Sequence, residues 1–178
     1  TKVKTVYNRP TLSVCDFRNV IIDPTCYGDI DKASFVIYSF ESSLSELEKD
    51  GRYKNLNMVN VDTSSILGMP DHATTDGSKN FNFSDKPRKK FVVYEYWGYW
   101  DIDGSGIVKP FVASWVGDTL IRMEENPFPD KKIPFVVCSY LPIKRSVYGE
   151  PDGSLLEDNQ KVIGAVTRGM IDILGKSA

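Results

Sequence analysis

The sequence has 178 residues, a formal net charge of −2, 41% hydrophobic residues and 12% aromatic residues. This length suits one sizeable domain or two small ones, and the apolar content is high enough to form a core, which argues against wholesale disorder. The weakly acidic balance argues against a dedicated nucleic-acid-binding protein, and no apolar run approaches the roughly 18–20 residues that cross a bilayer, so we expect no membrane partner.

Three strands are predicted in the N-terminal part of the chain. Residues 2–7 alternate polar and apolar side chains, which is the period of a half-buried strand. Residues 12–22 predict a second strand or a kinked pair of strands, and residues 34–40 predict a third. Asp23-Pro24 ends the second segment because proline donates no backbone hydrogen bond.

A short helix near 43–50 is predicted after these strands. Ser43 and Glu46 have the spacing of a capping box, and Gly51 provides the left-handed residue that commonly ends a helix. Residues 55–90 are then rich in glycine, proline, serine, aspartate and asparagine, so we expect a long flexible loop there.

An aromatic β-meander is predicted next. Its first strand, 91–100, is apolar or aromatic on both faces, so we expect it to be buried on both sides or covered by a partner. The chain then returns over 107–116 and forms a tight hairpin into 119–124. Pro110 predicts a bulge or an edge position in the returning strand, and residues 133–140 predict a last strand.

A longer C-terminal helix is predicted near 154–174. It opens with a second capping box, Ser154 to Glu157. One apolar stripe follows at helical spacing, formed by Leu156, Ile163, Val166, Met170 and Ile173. Gly164 and Gly169 lie inside this helix, where each costs about 1 kcal/mol relative to alanine, so we expect another backbone to approach closely there. The predicted fold class is therefore α+β, mostly antiparallel sheet with two helices.

No catalytic, cofactor-binding or metal site is predicted. His72, the only histidine, lies in the predicted loop, so we expect it to be solvated rather than held against a nucleophile. Residues 101–106 resemble the opening of a calcium loop, but Val112 stands where a bidentate glutamate is required, and we interpret them as a turn. The three cysteines lack metal-ligand spacing, which predicts three reduced, mostly packed thiols, or one disulfide with a spare.

Aromatic and basic residues leave alternatives open. The tryptophans of the meander could form a carbohydrate platform, but such residues more often fill a core or a subunit interface. We therefore predict Trp97, Trp100, Gly164 and Gly169 as possible subunit-interface residues. The basic run 86–90 is interpreted as a solvated face ahead of a hydrophobic strand, with a phosphate or acidic-partner contact as the alternative.

Two parts of the sequence carry a family resemblance. The first runs from Ile22-Asp23-Pro24 into GDIDKASFV, and the second joins YEYWGYWDIDGSG, IRMEENPFPDKKIPFVV, RSVYGEPDGSLLEDNQ and IGAVTRGMIDILGKSA. Both resemble portal proteins of tailed bacteriophages, the head–tail connectors, in their podovirus P22-type branch. The likeness covers most of the chain outside 55–90.

The resemblance implies that residues 1–178 form a single domain, a fragment of a longer chain, from the β-rich wing region that leads towards the stem helices. It further implies a structural protein of the virion, which assembles in the host cytoplasm as a ring of identical subunits, commonly a dodecamer, at one capsid vertex. Double-stranded genomic DNA would pass through the ring during packaging and ejection.

The same resemblance implies the partners of the ring. It would contact capsid proteins and dock terminase first and tail or head-completion proteins later, with no enzymatic activity and no cofactor of its own. The alternative is a non-catalytic binding module for carbohydrate or calcium, within a phage structural protein or a host surface protein.

Overall fold

The computed structural model describes residues 2–6, 9–61, 72–73 and 81–177. Its strands are β1 (Lys2–Val6), β2 (Arg9–Ser13), β3 (Val20–Ile22), β4 (Phe35–Ser42), β5 (Phe91–Trp100), β6 (Lys109–Val116) and β7 (Thr119–Glu125). Its helices are α1 (Leu44–Asp50) and α2 (Asp152–Ser177). The predicted α+β class, with mostly antiparallel sheet, a short helix and a C-terminal helix, is confirmed.

The described chain groups into two units, residues 1–137 and 138–178. The first unit contains every strand named above together with α1, and the second contains α2. The expected flexible loop at 55–90 is described only over 55–61, 72–73 and 81–90, and Val59 and Val61 are buried within it. That loop and the single-domain organisation stay predictions.

The first unit is built on a five-stranded antiparallel sheet in the order β3-β4-β5-β6-β7, so that each strand pairs with its neighbour in sequence. Strands β1 and β2 form a separate two-stranded sheet. Alternation along β5 places Val93, Glu95 and Trp97 on one face, which we call the Glu95 face. Tyr94 and Tyr96 lie on the opposite face, which we call the Tyr96 face.

The hydrophobic core lies on the Glu95 face, below α1. Its buried members are Leu44, Leu47, Val59, Val61, Phe91, Val93, Val116 and Ile121. Helix α1 begins at a capping box and ends at a glycine, as predicted. The Glu46 carboxylate accepts a hydrogen bond from the Ser43 backbone N–H at 3.1 Å, and Gly51 ends the helix at a φ of 75°.

Aromatic rings stack across the strands on the Tyr96 face. Tyr96 lies between Phe35 and Phe111, with ring centroids 5.9 Å and 5.2 Å away, and Tyr94 stacks on Trp115 at 5.8 Å. Such cross-strand pairs stabilise a sheet and hold its register. Strand β5 is therefore covered on both faces over most of its length, as its sequence predicted.

Of the two alternatives predicted for residues 12–22, the pair of strands is the one observed, since a turn at Phe17–Asn19 separates β2 from β3. Two other details of the strands differ from their predictions. Residues 133–140 contribute an isolated bridge between Phe135 and Lys2 in place of the predicted strand, since a proline at position 134 cannot donate to a ladder. Pro110 lies near the start of β6, which is an interior strand and not an edge strand, and the bulge occurs further on, between Ser114 and Trp115.

Gly98 is required where β5 passes close to β4. A Cβ atom at this position would lie 2.5 Å from the Ser34 carbonyl oxygen and 2.9 Å from the Phe35 Cα. We expect Gly98→Ala to lower the free energy of unfolding by about 1–3 kcal/mol, because backbone atoms would have to move. Urea denaturation measures the change. Gly153→Ala, at a position with nothing within 4 Å, is the matched control, and an equal effect of both substitutions would contradict the prediction.

Candidate functional site

A buried carboxylate lies at the centre of the Glu95 face. Glu95 is 2% exposed, and one of its oxygens, Oε1, accepts a hydrogen bond from Trp97 Nε1 at 2.6 Å. Lys2 Nζ forms an ion pair with the same oxygen. Arg122 Nη1 lies 3.7 Å from the other oxygen. One indole and two cations therefore compensate a charge that would otherwise be costly to bury.

Arg122, on strand β7, extends this arrangement across the sheet. It is 3% exposed, and its Nε donates to Glu124 Oε1 at 2.8 Å. The guanidinium carbon lies 5.9 Å from the Trp97 ring centroid, within the range of a cation–π contact. Among the described residues, Arg122 Nη1 and Ser114 Oγ are the buried side-chain polar atoms without a hydrogen-bond partner. The pairing of Glu95, Ser114 and Arg122 across β5, β6 and β7 makes these groups one polar row inside an apolar sheet.

A cavity of about 830 Å³ opens beside this row within the first unit. Its lining combines aromatic rings with paired charges and consists of Lys2, Ser13, Cys15, Tyr38, Phe40, Asp50, Arg52, Tyr53, Glu95, Trp97, Pro127, Phe128 and Pro129. The volume falls within the roughly 300–1,000 Å³ of typical small-ligand sites. Such a lining is suited to hold a cationic group between rings and carboxylates.

Two phenols and the Asp50 carboxyl of the cavity lining have shifted pKa values. Burial raises the pKa of Tyr38 and that of Tyr53 to about 12, so both phenols stay protonated. Hydrogen bonding from Arg52 lowers the pKa of the Asp50 carboxyl, and Arg52 Nη2 donates to Asp50 Oδ2 at 2.6 Å. The cavity therefore presents neutral phenols beside the Asp50–Arg52 ion pair.

The aromatic wall of the cavity is positioned by the turn after β7. Asn126 is 3% exposed, its Oδ1 accepts from the Phe128 backbone N–H at 2.9 Å, and its Nδ2 donates to the Lys132 carbonyl at 2.9 Å. These bonds hold the Phe128 ring 5.6 Å from the Trp97 ring. The segment Asn126-Pro127-Phe128-Pro129 thus supplies one side of the cavity as well as ending the meander.

Sequence analysis missed Glu95 as the organising residue of this site. The available signal was a single charged residue in the middle of the strand FVVYEYWGYW. A carboxylate within such an apolar run must find a compensating partner if the strand is buried. Its partners, Lys2 and Arg122, are distant in sequence, so their identity could not be inferred from spacing.

The predicted interface residues occupy different environments. Trp97 is 2% exposed, whereas Trp100 is 60% exposed at the end of β5 and lies on the opposite face of that strand. In α2, a Cβ at Gly164 would contact the Arg168 guanidinium at 3.5 Å, and one at Gly169 would meet nothing within 4 Å. The role of these four residues in a subunit interface stays a prediction.

The calcium-like segment forms the turn between β5 and β6. The Asp101 carboxylate accepts hydrogen bonds from the backbone N–H groups of Ser105 at 3.0 Å and Gly106 at 2.7 Å, and Asp103 pairs with Lys109. These carboxylates stabilise the turn itself. Within the described ranges, no cluster of three or more histidine, cysteine, aspartate or glutamate side chains is placed to hold a metal ion.

The cysteines are free thiols with different degrees of burial. Cys26 is buried in the first unit, Cys15 is partly buried beside the cavity, and Cys138 is exposed. The alternative of one disulfide with a spare cysteine therefore does not hold in this structure.

His72 is buried, so the prediction of a solvated loop histidine is wrong. It is 8% exposed, with Nδ1 2.8 Å from Ser39 Oγ and Nε2 3.5 Å from Glu41 Oε1. Next to it, the Asn19 side chain forms two hydrogen bonds with the Ala73 backbone, at 2.7 Å and 3.0 Å. His72 is buried because residues 72–73 pack against strand β4, which is distant in sequence. No local sequence pattern indicates this contact.

Stability is expected to fall as the pH is lowered from about 7 to 5. Burial lowers the pKa of His72 below its ordinary value of 6.5, although the Glu41 carboxylate partly opposes this effect. The unfolded chain therefore takes up a proton at a higher pH than the folded chain does, which favours unfolding. The contribution is fully present above about pH 6.5 and is lost as the pH falls through the lowered pKa.

Urea denaturation at several pH values measures this dependence, with His72→Gln as the comparison. Because the sequence contains one histidine, the difference between the two chains should depend on pH chiefly in this window. Parallel pH profiles for the two chains would contradict the prediction.

Comparison with known protein families agrees with the resemblance seen in the sequence. The family model of the phage SU10 portal protein matches residues 1–178. The match supports a structural role in a phage portal and a location in the virion, but gives no support to a sugar- or calcium-binding module. The P22-type branch stays a prediction. None of the described helices has the length and apolarity needed to cross a membrane. The chain belongs to the phage SU10 portal protein family.

Proposed function

We propose that this chain is the wing-region part of a portal subunit, which assembles into a ring of identical copies, commonly a dodecamer. Double-stranded genomic DNA passes through the ring during packaging and ejection. The observation that carries the proposal is the family match over the whole chain. The ring contacts capsid proteins, docks terminase and later tail or head-completion proteins, and has no enzymatic activity and no cofactor.

The properties of the two units support a role in assembly. The first unit has a two-sided aromatic sheet whose internal charges are paired, which suits a rigid structural part. In the second unit, the apolar stripe of α2 has no cover within that unit, and Leu156, Val166 and Met170 are all at least half exposed. Exposed apolar patches of this kind commonly mark interaction surfaces.

Substitutions that leave the chain's own fold intact provide the sharpest test of ring assembly. Gly164→Leu has space in the isolated unit and favours helix, so a loss of rings would report on contacts between subunits. Trp100→Ala removes an exposed ring. Trp97→Ala is less suitable, because Trp97 is buried against Glu95 and its loss would also affect folding.

The variants are made in the full-length protein that contains residues 1–178, and the rings are counted by electron microscopy. We expect rings from the parent chain, fewer rings from Gly164→Leu and from Trp100→Ala, and parent-like rings from the control Gly153→Leu, whose position is also open. Normal assembly of both test variants would refute the interface assignment. Failure of the folded parent chain to form rings would refute the proposed function.

A further inference from the structure

We propose that the cavity beside Glu95 and Trp97 is a binding site for a primary alkylammonium group, the group that a lysine side chain carries. Lys2 of strand β1 is its occupant in this structure. The site thereby holds the β1–β2 hairpin on the five-stranded sheet. The proposal is independent of ring assembly and goes beyond a general structural role.

The contacts of Lys2 show the chemistry of the site. Its ammonium nitrogen pairs with the Glu95 carboxylate and lies 5.2 Å from the Trp97 ring centroid and 5.9 Å from that of Tyr38. Cations within about 6 Å of an aromatic face are attracted by its negative charge density, most strongly when water is excluded. The Lys2 side chain is 17% exposed and Glu95 is 2% exposed, so the pair is largely desolvated.

The receiving residues are held by the sheet and do not depend on Lys2 for their position. Glu95 and Trp97 belong to the central strand β5 and are joined by the indole hydrogen bond of 2.6 Å. The Phe128 ring and the Arg122 guanidinium also contact the Trp97 ring, at 5.6 Å and 5.9 Å from its centroid. A site organised in this way remains ready for a ligand when its occupant is removed.

The hydrogen-bond acceptor positions that remain on the Glu95 carboxylate favour an ammonium over a guanidinium. Oε1 already accepts the Trp97 N–H, and Oε2 faces Arg122, so the carboxylate does not offer the two free parallel acceptors that a bidentate guanidinium uses. An ammonium is a compact point charge that can share one oxygen with the indole. The geometry therefore selects the lysine-type cation that the structure contains.

The hairpin needs a stabilising contact with the rest of the first unit. Strands β1 and β2 form a two-stranded sheet separate from the five-stranded one, and an isolated hairpin of this kind is marginally stable in water. Lys2 provides both the ion pair with Glu95 and a backbone bridge to Phe135. The cavity volume of about 830 Å³ exceeds what one ammonium occupies, so an added amine can reach the site once the Lys2 side chain is truncated.

Chemical rescue of Lys2→Ala tests the proposal. The probe is n-butylammonium chloride, and the readout is the Trp97 indole N–H signal in a nitrogen–proton NMR spectrum, assigned by its loss in Trp97→Phe. We expect Lys2→Ala to shift this signal and lower Tm. Butylammonium should return the signal towards its parent position in a saturable manner and raise Tm. Neither sodium chloride nor n-butanol at the same concentration should do so.

Two comparisons make the result specific. Lys32→Ala removes an exposed ion pair with Asp29 and should leave the Trp97 signal unchanged. The parent chain should not respond to the amine, because Lys2 already pairs with the Glu95 carboxylate. Adding Glu95→Gln to Lys2→Ala should weaken butylammonium binding by about tenfold or more, since a charge-assisted hydrogen bond is lost.

Several results would overturn the proposal. One is a Trp97 signal that does not respond to Lys2→Ala. Another is a response to sodium chloride equal to that given by butylammonium, and a third is an equal response in the parent chain. The Lys2→Ala experiments decide the question by themselves if the double variant does not fold.

Discussion

Replacement of Glu95 by alanine is expected to lower the free energy of unfolding by about 3–5 kcal/mol, the range found when one partner of a buried ion pair is removed. The carboxylate is 2% exposed and compensates Lys2 and Arg122 from opposite oxygens. Without it, the buried Arg122 would keep Glu124 but lose its second carboxylate partner, and the Trp97 N–H would lose its acceptor. Urea denaturation followed by circular dichroism measures the loss.

The double variant Glu95→Ala with Arg122→Met separates the charge effect from the loss of packing. Because the second substitution removes the buried cation that has lost one of its two carboxylate partners, the double variant should be more stable than the sum of the single effects predicts. Glu48→Ala, at an exposed position of α1, should change stability by no more than about 0.5 kcal/mol. A loss of less than about 1 kcal/mol for Glu95→Ala would mean that the polar row does not stabilise the sheet.

Phe91→Ala is expected to destabilise the first unit by a similar amount, about 3–5 kcal/mol. The Phe91 side chain is fully buried in the cluster where α1 meets strands β5 and β7, beside Leu47 and Ile121. Truncation would remove its buried apolar surface and leave a cavity that these neighbours can only partly fill. The same denaturation measurement applies.

Phe17→Ala provides the matched control for this substitution, because the Phe17 ring is 70% exposed. It should change stability little. Similar losses at positions 17 and 91 would contradict the placement of the core on the Glu95 face.

For a portal protein, these predictions separate folding from assembly. Substitutions at Glu95 and Phe91 act inside the first unit, so they should reduce the yield of folded chain before any ring can form. Substitutions at Trp100 and Gly164 act at positions that are open within their own units, so they should affect assembly without unfolding the chain. Measuring both stability and ring counts for each variant therefore distinguishes a structural defect from an interface defect.

The local elements and the family could be predicted from the sequence by itself. Helix α1 has its capping box and terminal glycine within nine residues, Ser43 to Gly51, and β5 shows the apolar and aromatic pattern of a strand covered on both faces. These signals are local, because capping and strand alternation depend on neighbouring residues. The motifs of the portal resemblance are likewise contiguous and needed no knowledge of packing.

The tertiary structure decided which residues form the site. Glu95 appeared as an ordinary member of an apolar strand, and His72 as a solvated loop residue, because their partners lie far away in sequence. Residues 133–140 have the composition of a strand, yet a bridge at Phe135 is their contribution to the described sheets. Burial, charge compensation and strand pairing depend on contacts between segments that are far apart in the sequence, and local sequence patterns do not specify those contacts.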